Sequence, residues 1–313
     1  MPISRRKEIT VPASVAVATH GGPVRDTVDD FTVIDCETCG FAHVTPLPSE
    51  ADLAAHYAKD YYGQIKPDYL ARAKADEPWA RLGFDDRLDI LEANLPKGRR
   101  RLLDIGSGPG LFAAHARSRG WAAEGIEPSG QACAHARSLD VPVTCGTFDD
   151  KTATQLGKFD AITLTNMLEH VPDPAAILLR AHECLAEHGL VCVTVPNDYN
   201  GFQTTLRTNG AAPWWIAPPH HLNYFGFDSL ARLVSRVGFQ EIERTTSFPM
   251  EIFALMGELY MGNDALGRAC HQQRIAFDGA FASAGTGETR RKFYAALAAA
   301  GFGREVIIVA QKS

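Results

Sequence analysis

The sequence predicts an α/β protein built on one sheet of seven mostly parallel strands, with helices on both faces. Three observations support this fold class. From residue 101 onward, short aliphatic runs alternate with amphipathic segments of helical length, which is typical of a parallel sheet. A glycine-rich segment, Gly106–Gly110, separates the first run from the first helical segment, and an acidic residue, Glu127, closes the next run.

The first hundred residues do not follow this alternation. Residues 31–44 predict a short hairpin around Cys36-Glu-Thr-Cys39-Gly40, whereas residues 1–30 show no sustained periodicity. Residues 84–95 predict an amphipathic helix that ends at Pro96-Lys-Gly98. We therefore expect residues 1–80 to form an N-terminal leader, a hairpin plus helix that acts as a lid, and residues 81–313 to form the main domain.

The main domain is expected to alternate between strands and helices. The strands are predicted at residues 101–105, 121–126, 141–145, 159–165, 189–195, 239–246 and 305–310. The helices are predicted at residues 111–119, about 132–139, 174–186 and 229–237, with a mainly helical insertion at about 251–300. Ligands bind beyond the carboxyl ends of strands in such sheets, so functional residues are expected directly after strands.

Composition restricts the class of partner. Lys and Arg number 31 and Asp and Glu 37, and a net charge of −6 disfavours nucleic acid because phosphate binding depends on cationic side chains. No apolar run reaches the roughly 18 residues that a membrane-spanning helix needs, and the N-terminus does not favour export. Seven irregularly spaced cysteines do not indicate a disulfide scaffold. We expect a cytoplasmic protein with a small-molecule partner, and homodimer formation stays open.

The segment Asp104-Ile-Gly106-Ser107-Gly108-Pro-Gly110 carries the strongest chemical signal. Glycine lets backbone approach a ligand closely because no Cβ intervenes. An acidic side chain after the next strand can accept hydrogen bonds from ribose hydroxyls. The spacing here is G-x-G-x-G, whereas dinucleotide-binding enzymes use G-x-G-x-x-G. This difference disfavours a nicotinamide-dependent oxidoreductase, which stays as an alternative.

The glycine segment with Glu127 resembles the first motif and acidic partner of class I S-adenosylmethionine (SAM)-dependent methyltransferases. Residues 159–162, 166–173 and 303–312 resemble that family's fourth and last strands. The resemblance implies a Rossmann-like fold and SAM as cofactor, with S-adenosylhomocysteine as product. It places Glu127 at the ribose, Phe148 near the adenine and Asp104 near the methionine amino group. The full set of expected cofactor residues is Asp104, Gly106, Ser107, Gly108, Gly110, Glu127, Pro128, Phe148, Asn166 and Tyr62.

Histidines supply the candidate general base. A neutral hydroxyl is a poor nucleophile, and histidine titrates nearest neutral pH. His170 follows the fourth predicted strand. His220 and His221 lie in a segment that resembles the catalytic segment of sugar methyltransferases, including deoxysugar C-methyltransferases, where His221 matches the catalytic histidine. His220 and Pro218 occupy the positions of that segment's Glu and Tyr, which disfavours C-methylation and keeps it as an alternative.

Aromatic and polar residues are expected to line the acceptor site. The flat apolar face of an indole suits a sugar or an aromatic ring. The candidates are Tyr61, Trp214, Trp215 and Asn197. We therefore predict transfer of a methyl group from SAM to a small-molecule hydroxyl, on a sugar, a nucleotide-linked sugar or a secondary metabolite. A non-catalytic SAM-binding module is the remaining alternative.

The leader resembles that of bacterial small-molecule methyltransferases, in some of which an upstream cysteine pair completes a four-thiolate zinc ribbon. No cysteine precedes Cys36 in this chain. A tetrahedral structural zinc site needs four ligands, and His20 and His43 could complete only an irregular set. We therefore expect a degenerate ribbon without a metal.

Overall fold

The computed structural model describes residues 20–48 and 69–313. In chain order the strands are β1 (Val24–Val28), β2 (Phe31–Asp35), β3 (Ala42–Thr45), β4 (Arg101–Ile105), β5 (Ala122–Glu127), β6 (Val143–Cys145), β7 (Phe159–Thr165), β8 (Leu185–Pro196), β9 (Asn223–Tyr224), β10 (Phe239–Thr245) and β11 (Glu305–Lys312). The helices are α1 (Tyr69–Asn94), α2 (Leu111–Ser118), α3 (Gly130–Ser138), α4 (Asp150–Gln155), α5 (Pro174–Cys184), α6 (Gly201–Thr208), α7 (Phe227–Arg236), α8 (Glu251–Leu255), α9 (Asp264–Ser283) and α10 (Gly287–Ala299). No helix within these ranges is long and apolar enough to cross a membrane.

Seven strands form the main sheet, in the order β10-β11-β8-β7-β4-β5-β6. β11 runs antiparallel to both of its neighbours, and the other pairs are parallel. Alternate residues of a strand face opposite sides, so Leu103 and Ile162 belong to one apolar cluster and Leu102 and Ala161 to another. Helices cover both clusters, and the predicted fold class is confirmed.

A second sheet of four antiparallel strands has the order β1-β2-β3-β9. The hairpin predicted at residues 31–44 is β2 and β3. β1 was not predicted, because only Asp26 of this strand is buried and an edge strand of this kind shows no hydrophobic periodicity. β9 comes from the segment between α6 and α7, so the N-terminal hairpin shares a sheet with residues 223–224.

Several helices differ from the prediction. α1 begins at Tyr69 rather than residue 84 and contains Pro78, and α4 and α6 were not predicted. The N-terminal half of α1, residues 69–83, has no apolar stripe in its sequence. Polar contacts to other elements hold this half in place. Trp79 Nε1 donates to Asp278 Oδ2 of α9 at 2.8 Å. Residues that make tertiary polar contacts leave no periodic signal in the sequence.

One disulfide joins Cys133 of α3 to Cys145 of β6, and the other five cysteines are free thiols. The irregular cysteine spacing gave no indication of this pair.

Candidate active site

The glycine loop lies at the carboxyl end of β4. Gly106, Gly108 and Gly110 have φ angles of 71°, 53° and 80°, in the left-handed region that favours glycine. A Cβ on Gly106 would lie 3.1 Å from Met167 Cγ, and a Cβ on Gly110 would lie 2.7 Å from Ala136 Cβ. The loop is therefore packed against α3 and the segment that follows β7, and its shape depends on glycine.

Glu127 closes β5 beside this loop. The residue is only 5% exposed. Its Oε2 accepts a hydrogen bond from the Gly108 amide at 2.9 Å, and its Oε1 accepts one from the Ser129 amide at 2.8 Å. Burial raises the pKa of Glu127, and the bonds from Ser129 and Gly108 partly oppose that rise. Because a carboxylate can accept about four hydrogen bonds, capacity remains for the two hydroxyls of a ribose.

Asp104, in β4, and Ser107, in the glycine loop, are both buried. Asp104 Oδ1 accepts a hydrogen bond from Thr163 Oγ1 of β7 at 2.7 Å. Burial raises the pKa of Asp104 to about 6, opposed by this bond and by Arg87. Ser107 is buried, and its hydroxyl occupies the space that a Cβ on Gly125 would need. Both side chains thus support the loop from the sheet side.

The other predicted cofactor residues have varied surroundings. Pro128 is exposed directly after Glu127, and Asn166 is exposed after β7 with a φ of 50°. Phe148 is 5% exposed and belongs to the main apolar core, which is sufficient to explain the residue type. Tyr62 lies outside the described residues.

Two segments that are distant in sequence meet beyond β7. Asn223 Nδ2 donates to the carbonyls of Leu168 at 2.9 Å and Val171 at 2.7 Å. The Leu222 amide donates to the carbonyl of Glu169 at 2.7 Å. These bonds fix residues 217–224 against residues 168–171, and the candidate bases predicted separately are brought together.

His170 and His221 pack with their rings nearly perpendicular and their centroids 5.0 Å apart. His170 Nδ1 lies 2.6 Å from the carbonyl oxygen of His220, to which it donates, so His220 contributes backbone to the site. Nε2 of His170 faces Glu169 Oε1 at 3.7 Å. Donor atoms of Glu169, His170 and His221 all lie within 4.8 Å of one another.

Glu169 was not predicted as a site residue. It is 1% exposed, and a buried carboxylate beside an imidazole can orient the ring and stabilise its protonated form. The sequence feature that could have identified Glu169 is an acidic residue directly before His170, shortly after the end of β7. Its burial depends on the distant segment 217–224, which no local pattern reveals.

The predicted acceptor residues are only partly accessible. Trp215 is 6% exposed and packs in the core of the smaller sheet, 5.7 Å from the Tyr199 ring. Trp214 is half-buried and perpendicular to Trp215. Asn197 Nδ2 donates to the carbonyls of Gly301 and Gly303. Trp214 is the more accessible of the two indoles, the Asn197 amide is used for backbone bonds, and Tyr61 lies outside the described residues.

A cavity of about 710 Å³ lies beyond the carboxyl end of β8, between the N-terminal hairpin and α7. Its lining includes the arginines Arg25, Arg232 and Arg244 together with Asp198 and Tyr224. β4, β7 and β8 are parallel, so the cavity beyond β8 lies at the same edge of the sheet as the glycine loop. β8 is two strands away from β4, which is roughly 10 Å at the usual strand spacing.

Comparisons of the sequence with known proteins identify the family. A family model described as a methyltransferase domain matches residues 71–244. A ubiquinone biosynthesis O-methyltransferase of Xanthomonas oryzae pv. oryzae is 33% identical over 117 residues, which are 36% of this chain and 49% of that protein. The Chromobacterium violaceum protein of that name is 34% identical over 109 residues, 33% of this chain and 47% of that protein. The chain spans about half the length of these curated relatives.

A solved structure shares the fold. The magnesium protoporphyrin IX methyltransferase of Synechocystis PCC 6803, with bound S-adenosylhomocysteine, aligns with a TM-score of 0.51 and 12% identity, over 85% of this chain and 100% of that chain. The family match covers more than half of this chain and includes the glycine loop and Glu127. It favours SAM over a nicotinamide as the cofactor. The chain belongs to the class I SAM-dependent methyltransferase family.

Proposed function

We propose that this chain transfers the methyl group of SAM to a hydroxyl oxygen of a small-molecule acceptor, with His221 as general base. The observation that carries the proposal is the packing of His221 on His170 beside the buried carboxylate of Glu169. The curated relatives are named as O-methyltransferases, which supports oxygen as the acceptor atom.

The cofactor, when bound, supplies a methyl group already activated on a sulfonium, so the protein mainly contributes alignment and proton transfer. With SAM bound, His221 would accept the hydroxyl proton while the acceptor oxygen takes the methyl group from sulfur, and S-adenosylhomocysteine would be the leaving group. Glu169 stabilises the positive charge that this proton brings to the pair of imidazoles, and a general base of this kind contributes about 10²–10⁴-fold in rate.

We propose the cofactor contacts from the loop geometry. Glu127 would bind the ribose hydroxyls with the lone pairs that Gly108 and Ser129 leave free. The backbone of Gly106–Gly110 would lie along the methionine portion, where the absence of side chains permits close approach. Asp104 would act on the amino group through backbone or water, because its own side chain is bonded to Thr163.

For the acceptor we propose a sugar hydroxyl, in free or nucleotide-linked form. The cavity beyond β8 has the volume of a small-molecule site, and because its lining does not include His221 or the glycine loop, we assign it to the part of the acceptor remote from the reacting hydroxyl. Arg232 reaches its wall and donates to the carbonyl of Gly40, and guanidinium groups bind phosphate well. Asp198 offers a hydroxyl partner in the lining, whereas the Tyr224 hydroxyl is already bonded to the Ala217 amide and the His221 carbonyl.

Turnover is the test of this function. The chain would be incubated with SAM and a panel of free sugars, nucleotide-linked sugars and phenols, and S-adenosylhomocysteine would be quantified by mass spectrometry. The expected result is cofactor turnover matched by a product one methyl group heavier at oxygen. Saturable SAM binding with no turnover on any member of the panel would favour the non-catalytic alternative, and a product methylated at carbon would favour the C-methyltransferase.

A further inference from the structure

The turn between β2 and β3 places two thiols on one side of the backbone. The Cys39 amide donates to Cys36 Sγ at 3.4 Å, and the Gly40 amide donates to the carbonyl of Cys36 at 2.8 Å. Gly40 takes a φ of 75°, which lets the chain reverse directly after the second cysteine. Cysteine binds a metal as the thiolate, and the two sulfurs of this turn lie within 4.8 Å of each other.

Two histidines face these sulfurs. His20 Nδ1 lies 3.7 Å from Cys36 Sγ, 3.4 Å from Cys39 Sγ and 3.1 Å from His43 Nε2. His43 Nδ1 donates to the carbonyl of Val44 at 2.8 Å, so its Nε2 carries the lone pair that points at the other three atoms. All four donor atoms lie within 4.8 Å of one another.

These separations are those of ligands around one tetrahedral ion. With zinc–sulfur bonds of about 2.3 Å and zinc–nitrogen bonds of about 2.05 Å, two nitrogens stand about 3.3 Å apart and a nitrogen and a sulfur about 3.6 Å apart. We propose that His20, Cys36, Cys39 and His43 form a structural zinc site. Two thiolates and two imidazoles satisfy zinc completely, which leaves no open position for catalysis. His20 and His43, which the sequence alone left as an irregular set, thus lie at ligand distances from both sulfurs in three dimensions.

The surroundings suit a neutral buried complex. Cys36 and His43 are each only 2% exposed, and a divalent ion with two thiolates carries no net charge into this interior. The Val44 carbonyl orients the His43 ring, as an outer partner does for most metal-bound histidines. Arg236 Nη1 donates to the carbonyl of Cys39 at 2.9 Å and ties the turn to α7.

The proposed zinc site stabilises the position of residues 221–224, the segment that carries the candidate base His221. His43 pairs with Asn223 across β3 and β9, and the Val44 amide donates to the carbonyl of Leu222 at 2.9 Å. Asn223 in turn holds the residues after β7. The zinc would therefore fix the hairpin to residues 221–224 without touching the reacting groups.

The first experiment measures bound metal in the full chain, purified without chelators under mild reduction. Elemental analysis is expected to show about one zinc per chain. Cobalt exchanged into the site is expected to give the visible absorption of a tetrahedral thiolate complex. A cluster held only by hydrogen bonds would contain little metal and give no such spectrum, and that result would overturn the proposal.

Variants locate the ion. Cys36→Ser is expected to lose the zinc, whereas Cys270→Ser, which alters a buried thiol in α9, is expected to retain it. Retention of zinc by folded Cys36→Ser would contradict the assignment. His43→Cys replaces one ligand by another and should keep zinc while shifting the cobalt spectrum toward three sulfurs. An unshifted spectrum would remove His43 from the site, even if Cys36→Ser fails to fold.

Discussion

At the scale of single residues, the carboxylate of Glu127 connects the glycine loop to the next helix, and we propose that it also binds the cofactor ribose. It holds the glycine loop through the Gly108 amide and the next helix through the Ser129 amide, and both bonds are made by a group that is almost fully buried. A buried carboxylate of this kind is pre-positioned, so a ribose would bind without first ordering a side chain.

Glu127→Ala should weaken SAM binding by tenfold or more, because hydrogen bonds to a charged group contribute roughly 1.5–3 kcal/mol. Calorimetric titration with S-adenosylhomocysteine gives the affinity. Glu124→Ala is the control on the same strand, since Glu124 pairs with Arg101 away from the loop. Equal affinities in the two variants would remove the ribose assignment.

His221→Asn should lower kcat by about 10²–10⁴-fold with little change in SAM affinity, because a general base acts on the transferred proton and not on cofactor binding. His188→Asn, at an exposed position with a φ of 57° that Asn tolerates, is the matched control. A fully active His221→Asn variant would shift the role of base to His170.

Asp104 links the site to the pH dependence of stability. Its pKa rises from 3.8 to about 6 on folding, so the native state binds the proton more tightly and stability falls as pH rises through that window. The loss at neutral pH is up to about 3 kcal/mol. The Asn side chain of the Asp104→Asn variant cannot ionise. Its free energy of unfolding should therefore vary less between pH 3.8 and about pH 6 than that of the wild type. Denaturant titrations at several pH values measure this, with exposed Asp140→Asn as control; parallel wild-type and Asp104→Asn curves would contradict the expectation.

At the scale of elements, the turn between β4 and α2 depends on backbone shape. The sequence predicted this turn and most strands of the main sheet because the central strands β4, β7 and β8 are largely apolar runs, and because β4, β5, β6 and β8 end at glycine or proline. It missed α4 and the first half of α1, since α4 buries no residue and α1 is held by contacts such as Trp79 with Asp278. Periodicity reports burial, and these segments bury little of their own surface.

Gly110→Ala should destabilise the protein more than Gly98→Ala. Both positions have a positive φ, of 80° and 87°, which costs an alanine about 1–2 kcal/mol. Only at Gly110 would the new Cβ also meet a neighbour, Ala136 at 2.7 Å, whereas nothing lies within 4 Å of Gly98. Overpacking adds about 1–3 kcal/mol. Thermal unfolding of the two variants tests this, and equal melting temperatures would show that the loop can move away from α3.

At the scale of the whole molecule, the smaller sheet joins the N-terminal hairpin to the segment that carries His221. β3 pairs with β9, and β9 is held against the residues after β7. The positions of the glycine loop, Glu127 and His170 beyond strand ends were predictable because each follows a recognisable strand, and the motif around His221 marked that segment, while the roles of these residues stay predictions. Glu169 and the His20–His43 contact were not, because they depend on pairings between segments far apart in sequence.

We propose that SAM binds at the glycine loop with its sulfur facing His221. A crystal structure with bound S-adenosylhomocysteine would show both contacts. We expect the ribose hydroxyls on the Glu127 carboxylate and the sulfur directed across open space toward the ring of His221, with Glu169 behind it. A ribose bound elsewhere, or protein packed between the sulfur and His221, would contradict the account.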